Sequence, residues 1–251
     1  MPSEPAFRVD VSPEIQPGQT LVVGLSSLGM TGLTAVDYLV RHLDSEIVGH
    51  VSPAEMPSFT PFEDGRPRHH TRLYDLADSD LTVLVGELFV PVWATRSFGD
   101  ALVEWMSDVR IEEVAILHGV PFPHAPEEHE TSHVATDEYR QRRLESASIP
   151  PLTGGVLDGV PGELVSRSLD DDAPPTGVYI TPAHPPGPDI DAALLLLDAI
   201  EEIYGVSVDR TELEELSADI KRHYENLADR MSTLAEEQAG RREFAEDRMF
   251  M

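Results

Sequence analysis

The sequence lacks cysteine entirely and contains a single lysine, Lys221. Without cysteine the chain can form no disulfide bond, no cysteine-ligated zinc site and no thiol nucleophile. It also lacks any apolar run of the ~18 residues that a transmembrane helix needs. Its first residues, MPSEPAFRVD, are neither cationic nor apolar. We therefore expect no membrane span and no signal peptide, and hence a cytoplasmic protein.

Positive charge is scarce throughout the chain. The sequence has 46 acidic residues against 18 basic ones, which gives a formal net charge of -28. A surface of this sign repels nucleic acids and anionic membranes, because both are bound by clustered Lys and Arg side chains. We therefore expect neither nucleic acid nor membrane as a partner. The composition resembles that of proteins from extreme halophiles, whose cytosol is rich in potassium chloride, and it predicts such a source.

The stretch from Thr20 to Leu43 has the pattern of a strand, a glycine-rich turn and a helix. It begins with Leu-Val-Val at 21–23, a short apolar run of the kind that a sheet buries on both faces. Gly24 ends this run. The apolar residues that follow the turn recur at spacings of three and four: Leu33, Val36, Leu39, Val40 and Leu43. This pattern predicts the opening half of a βαβ unit.

The turn contains three glycines, Gly24, Gly29 and Gly32, and two interpretations of them stay open. One is a phosphate or nucleotide site at the start of the helix. Against it, no Lys-Ser/Thr pair follows Gly29, and Ser26 stands where a dinucleotide-binding fingerprint has its second glycine. The other interpretation, which the spacing favours, is close packing of the helix on the strand. The three glycines and His118 are the candidate ligand pocket.

The chain up to residue 206 alternates buried strands with helical patterns. Apolar strands are predicted at 46–51, 81–85, 114–117 and 177–181, and helices are predicted after Pro91, before Leu169 and over 189–204. This alternation predicts an α/β domain, residues 1–206, with a mostly parallel sheet flanked by helices. We expect a loosely held lead-in at 1–19, a hairpin turn at 62–65 and a less regular region at 119–151.

The C-terminal part of the sequence has a different pattern. No proline or glycine occurs from Asp209 to Gln238, and apolar residues recur there at spacings of three and four. This predicts a long C-terminal helical extension, residues 207–239. Its apolar stripe has to be covered, either by the α/β domain or by another subunit in an oligomer. Residues 240–251 are predicted to be a flexible tail.

Histidine and glutamate are concentrated between residues 118 and 133. The cluster comprises His118, His124, His129 and His133 together with Glu127, Glu128 and Glu130. Such side chains can bind zinc or act as acid and base, but their spacing matches no helical metal motif and interspersed prolines make the segment a loop. A solvated polar loop is therefore the favoured interpretation. With no Gly-x-Ser-x-Gly elbow either, we predict no catalytic residues, no metal site and no cofactor.

The last three residues, Met249, Phe250 and Met251, are unusual at the end of a polar tail. They combine an aromatic ring, two apolar side chains and a carboxylate. Two interpretations stay open. The tripeptide folds back onto its own protein, or it docks on a partner whose pocket takes the ring and whose lysine or backbone amides bind the carboxylate.

Several short motifs point to one family. They are GLSSLGMTG at 24–32 followed by AVDYL at 35–39, the hairpin turn at 62–65, Gly-Glu at 86–87, LTGG at 152–155 and VYI at 178–180. In these motifs, over roughly residues 18–238, the chain resembles the PAC2 family of archaeal proteasome-assembly chaperone homologues. The resemblance implies an α/β domain similar to the nucleoside phosphorylases, assembly into homo-oligomers and, usually, no catalysis.

The resemblance also gives the C-terminal tripeptide a role. Family members that bind proteasomes carry a hydrophobic–tyrosine–any-residue tail, which inserts between α subunits of the 20S particle. Met249, Phe250 and Met251 match these positions in order, with phenylalanine where tyrosine is usual. This implies a proteasome assembly chaperone or adaptor that binds 20S α subunits through its tail. The alternative on the same scaffold is a nucleoside-phosphorylase-like enzyme or a small-ligand binding protein.

The charge imbalance predicts a salt requirement. At molar salt the Debye length is about 3 Å, so repulsion among the carboxylates is screened, whereas dilute buffer leaves much of it in place. We expect the purified protein to lose helical circular dichroism signal, or oligomeric order in size-exclusion chromatography, as potassium chloride is lowered from molar to millimolar concentration. A flat salt titration by both methods contradicts this expectation.

Overall fold

The computed structural model divides the chain into two units, one ending at Asp209 and the other beginning at Arg210. The described residues are 7–12, 17–54, 59–125, 129–184, 187–220 and 222. In the second unit residues 211–220 are helical. Residues 223–239 of the predicted helical extension and the predicted tail at 240–251 lie outside the described part of the chain. None of the described helices is long and apolar enough to cross a membrane.

The first unit contains ten strands and five α-helices among its described residues. The strands are β1 (Phe7–Val11), β2 (Thr20–Leu25), β3 (Ser45–Pro53), β4 (Phe62–Glu63), β5 (Arg66–Pro67), β6 (Thr71–Leu76), β7 (Leu81–Gly86), β8 (Glu113–Val120), β9 (Ser132–Ala135) and β10 (Thr176–Pro182). The helices are α1 (Thr31–His42), α2 (Thr95–Val109), α3 (Asp137–Tyr139), α4 (Gly159–Leu169) and α5 (Ile190–Tyr204). A π-helical turn, Arg140–Leu144, continues α3.

The sheet is parallel at its centre and antiparallel at both edges. Its strand order is β1-β3-β6-β7-β2-β8-β10-β9. Strands β7, β2, β8 and β10 run parallel to one another, and the outer pairings are antiparallel. Helices α1 and α5 cover one face, while α2 and α4 cover the other. The central strands are largely apolar because both of their faces are covered. The predicted α/β class is confirmed.

Two regions contain structure that the sequence patterns did not predict. Phe7–Val11, within the expected lead-in, pairs antiparallel with β3, and the Phe7 ring packs edge-on against Phe98 with centroids 5.1 Å apart. The region 119–151 contains β9 and α3. The expectation of a loose lead-in is wrong for β1, because this strand is stabilised by a partner strand far along the chain and local composition does not show that pairing.

The predicted hairpin at 62–65 is confirmed and is attached to the sheet by ion pairs. Strands β4 and β5 are joined by Asp64 and Gly65, both in the left-handed region that such a tight turn requires. Glu63 of the hairpin pairs with Arg41 of α1 at 2.7 Å and also with Arg68. Arg68 in turn pairs with Glu87 at 2.8 Å. The network therefore joins the hairpin to α1 and to the segment after β7.

Helix α1 lies unusually close to the strands beneath it. A Cβ atom added to Gly32 would lie 2.0 Å from the carbonyl oxygen of Leu117 in β8. A Cβ atom added to Gly24 in β2 would lie 2.3 Å from the carbonyl oxygen of Gly32. Real side chains do not tolerate such distances, so the two glycines permit backbone-to-backbone packing of α1 on β2 and β8. The structure thus supplies a packing role for these two glycines.

We expect Gly32→Ala to lower the free energy of unfolding by about 3 kcal/mol, because the new methyl group has to push α1 away from β8. Chemical denaturation followed by circular dichroism measures the change. Gly154→Ala is the matched control, since a Cβ atom there meets nothing within 4 Å. Equal stabilities of the two variants would show that α1 does not pack as closely as described.

Candidate functional site

A cavity of about 250 Å³ lies at the carboxyl ends of β2 and β8. These neighbouring strands lead the chain in opposite directions across the sheet, β2 towards β3 and β8 towards β9 and β10. Open α/β sheets bind ligands in crevices at such points of reversal. Most of the wall is apolar and includes Leu25, Leu28, Phe89, Ile116, Val120 and Val160.

Four residues with polar side chains also line the cavity: Ser26, Ser27, His118 and Asp158. Ser27 follows β2, His118 lies within β8, and Asp158 stands immediately before α4. The Ser27 hydroxyl oxygen is buried and has no hydrogen-bond partner among the described residues. Although Asp158 occupies the N-cap position of α4, its side chain makes no capping hydrogen bond. The Asp158 carboxylate is therefore not used as a helix cap, whereas the Ser27 hydroxyl oxygen is enclosed by neighbouring atoms and does not face the cavity.

Burial favours the neutral form of the His118 imidazole. Removal from water lowers the pKa of His118 below its ordinary value of 6.5, and the nearby Asp158 carboxylate opposes this shift only in part. A neutral imidazole carries one N–H donor and one unprotonated nitrogen that accepts hydrogen bonds. At neutral pH the cavity therefore presents one carboxylate and one neutral histidine.

Ser27, His118 and Asp158 are the residue types of a Ser-His-Asp catalytic triad, but they do not form the hydrogen bonds of a triad. A serine nucleophile has to hydrogen-bond to its histidine base, and the Ser27 hydroxyl has no partner in the part of the chain described. The described lining residues include no Lys or Arg that could hold a phosphate. The arrangement thus favours binding of a small molecule over nucleophilic catalysis or phosphate chemistry.

The fold separates the four residues of the candidate ligand pocket. His118 lines the cavity, whereas Gly24, Gly29 and Gly32 do not. Gly29 has a left-handed φ of 65°, and a Cβ atom there would lie 3.2 Å from the Cβ atom of Ala183. Occupation of the pocket by a ligand stays a prediction. Asp158 was missed by sequence reasoning, because an aspartate before a helix is usually an ordinary N-cap.

The histidine-rich segment is also divided by the fold. His133 is buried in β9, and His118 lies in the cavity. His124 and His129 lie beside His184, a residue that sequence reasoning did not connect with them, with ring centroids 5.0, 5.1 and 5.3 Å apart. Within the described ranges, no group of three His, Cys, Asp or Glu side chains could hold a metal ion.

Exposed apolar side chains lie next to the cavity. Phe89, Val92 and Trp93 are 64%, 72% and 70% exposed, and the first two also line the cavity wall. Exposed apolar groups that cluster in this way mark interaction surfaces. Met249, Phe250 and Met251 lie outside the described residues, so their role in partner binding stays a prediction.

We expect an NMR titration of the protein to give a His118 pKa below 6.5. Asp158→Asn should lower it further, because the variant removes a carboxylate that stabilises the imidazolium. Asp172→Asn, in the loop after α4, is the matched control and should leave the pKa of His118 unchanged. The same shift makes folding less favourable as pH falls below 6.5, since the unfolded chain takes up the proton first. If the pKa of His118 is the same in Asp158→Asn as in the unaltered protein, the Asp158 carboxylate does not lie near the His118 imidazole.

The fold is similar to several solved structures. For Pyrococcus furiosus PbaA, an archaeal homolog of proteasome-assembly chaperone, the TM-score is 0.78 at 20% identity, with 97% of this chain and 100% of that chain covered. For Pyrococcus furiosus PbaB, an archaeal proteasome activator, the TM-score is 0.72 at 17% identity, with 89% and 99% covered. A Thermoplasma acidophilum protein of unknown function gives 0.70 at 24% identity, with 89% and 90% covered.

The sequence itself decides the family. No curated protein sequence matches this chain. The model of the PAC2 family, however, matches residues 21–228, which include every strand of the central parallel sheet and the glycine-rich turn. The chain belongs to the PAC2 family.

Proposed function

We propose that this protein is a non-catalytic proteasome assembly chaperone or adaptor that binds 20S α subunits through Met249, Phe250 and Met251. The observation that carries the proposal is this hydrophobic–aromatic–apolar tripeptide at the end of a PAC2 chain. The similar fold of PbaA, a homolog of proteasome-assembly chaperone, and of PbaB, a proteasome activator, supports a partner of the same kind. Because one of these relatives is a homolog of an assembly chaperone and the other is an activator, they support a role in proteasome assembly and a role in activation equally.

Binding through the tail has a clear energetic basis. Burying a phenylalanine ring in a crevice of the α ring contributes about 2 kcal/mol. The terminal carboxylate adds a charge-assisted hydrogen bond to a lysine or to backbone amides. Phenylalanine lacks the hydroxyl of the tyrosine that is usual in the family, which removes one hydrogen bond worth about 1 kcal/mol. A single tail of this sequence therefore binds weakly.

An oligomer that presents several tails to one 20S particle can bind tightly even though each tail alone binds weakly. Once one tail is seated, the others bind at the high effective concentration set by their attachment. Self-association of this chain is consistent with the exposed Phe89, Val92 and Trp93, which a second subunit can cover. The proposal therefore includes a homo-oligomer, in the compartment that contains the proteasome, the cytoplasm. The net charge of -28 supports a halophilic protein.

We expect removal of residues 249–251, or Phe250→Ala, to abolish binding to 20S particles in native gels and pull-downs at high salt. Loss of a ring contribution of about 2 kcal/mol lowers affinity roughly 30-fold for one tail, and more for several tails together. Phe250→Tyr should bind at least as tightly as the natural protein.

The matched control is Phe244→Ala, which removes a phenylalanine from the same tail but outside the tripeptide. It should bind 20S particles like the unaltered chain. Binding that survives removal of residues 249–251 would refute docking through the tail. Absence of any complex with either free α subunits or assembled particles would refute a proteasome function altogether.

A further inference from the structure

The charge of the cavity wall indicates what kind of molecule fits there. Asp158 is the one residue with a formal charge among the described residues that line the cavity, and no described ion pair involves it. A carboxylate on a largely apolar wall favours a cation, since no Lys or Arg among the described lining residues pairs with it and the partial positive charge at the start of α4 compensates it only in part. The net charge of -28 acts in the same direction, because it concentrates cations and repels anions near the surface.

The hydrogen-bonding groups of the wall narrow the choice of cation. His118 in its neutral form offers one accepting nitrogen, and Asp158 offers two carboxylate oxygens. These are three acceptors from two parts of the chain. A primary ammonium group carries three N–H donors and no acceptor, so its hydrogen-bonding capacity matches this set.

The remaining wall accommodates hydrocarbon. Phe89 contributes an aromatic face, which attracts organic cations through the charge distribution of its ring. Leu25, Ile116 and Val120 add aliphatic surface. A volume of about 250 Å³ is at the lower end for ligand pockets and suits one ring with a short chain. Small metal ions need several oxygen or nitrogen ligands and gain nothing from such walls.

We propose that the cavity between the ends of β2 and β8 binds a small primary amine in its protonated form, with an aromatic or branched hydrocarbon group. Asp158 pairs with the ammonium group, His118 accepts a further hydrogen bond from it, and Phe89 with the aliphatic wall contacts the hydrocarbon. This site is independent of the C-terminal tail. It makes the first unit a sensor or carrier of such an amine.

The test compares the binding of ligands that differ in charge, three of them similar in shape, to the full chain. The potassium chloride concentration is high and the same throughout. Isothermal titration calorimetry and ligand-observed NMR measure binding of phenethylamine hydrochloride, phenethyl alcohol, phenylacetate and inorganic phosphate. We expect saturable binding of the amine, at least tenfold weaker binding of the alcohol, and no binding of the two anions.

Matched variants locate the site. Asp158→Asn should weaken amine binding at least tenfold, while Asp172→Asn, at the other end of α4, should leave it unchanged. Ser27→Ala should also leave it unchanged, because the Ser27 hydroxyl oxygen is enclosed by neighbouring atoms and does not face the cavity.

Four results would overturn the proposal. They are an Asp158→Asn variant that binds the amine as tightly as Asp172→Asn, a preference for phenylacetate or the alcohol, saturable binding of phosphate in place of the amine, and no saturable binding of the amine. Removing residues 249–251 should leave amine binding intact, so failure of proteasome binding and failure of the cavity proposal are distinguishable.

Discussion

The backbone contact between α1 and the parallel strands is the constraint on which the first unit depends. At Gly32 the helix approaches the Leu117 carbonyl oxygen too closely for any side chain. The turn from Gly24 to α1 is therefore short and sits directly over the ends of β2 and β8. That placement puts Ser27 on the same cavity wall as His118. Close packing of α1 on the sheet thus helps to determine which residues line the crevice at the ends of these strands.

Several of the few positively charged side chains form ion pairs that hold parts of the fold together. Arg41 and Arg68 hold the β4–β5 hairpin, and Arg72, almost fully buried, pairs with Glu87 at 3.0 Å. Arg143 pairs with the buried Glu113 at 2.7 Å. The planar guanidinium group suits such sites because it can bind several acceptors at once. These four arginines are therefore engaged by carboxylates of the fold, and Arg72 is removed from the surface almost entirely.

The chain has the PAC2 fold, but the fold by itself does not determine its function. A TM-score of 0.78 to PbaA at 20% identity shows that the architecture survives extensive change in side chains. Function has to be argued from sites, since one fold supports many activities. The roles proposed here for the tripeptide and for the cavity call for partners of different kinds, a large one with a crevice and a small cation.

Some properties of this protein follow from its sequence alone. Apolar periodicity predicted the α/β class and its main strands, turn chemistry predicted the hairpin at Asp64 and Gly65, and glycine spacing favoured close packing of α1. These signals are local, because each depends only on residues that are close to one another in the sequence. The family motifs between residues 24 and 39 are also local. The match of the PAC2 family model over residues 21–228 confirms the family that they indicate.

Other properties were decided only by tertiary structure. Strand β1 lies at the sheet edge because β3 supplies its partner. The apolar and polar residues that alternate at 7–11 are typical of a strand, but they do not show which strand it pairs with. The cavity requires Ser27, His118 and Asp158 to meet, and they come from the loop after β2, from β8 and from the start of α4. No local pattern marks these three as neighbours. Their convergence follows from the order of the strands in the sheet, which depends on contacts between distant parts of the chain.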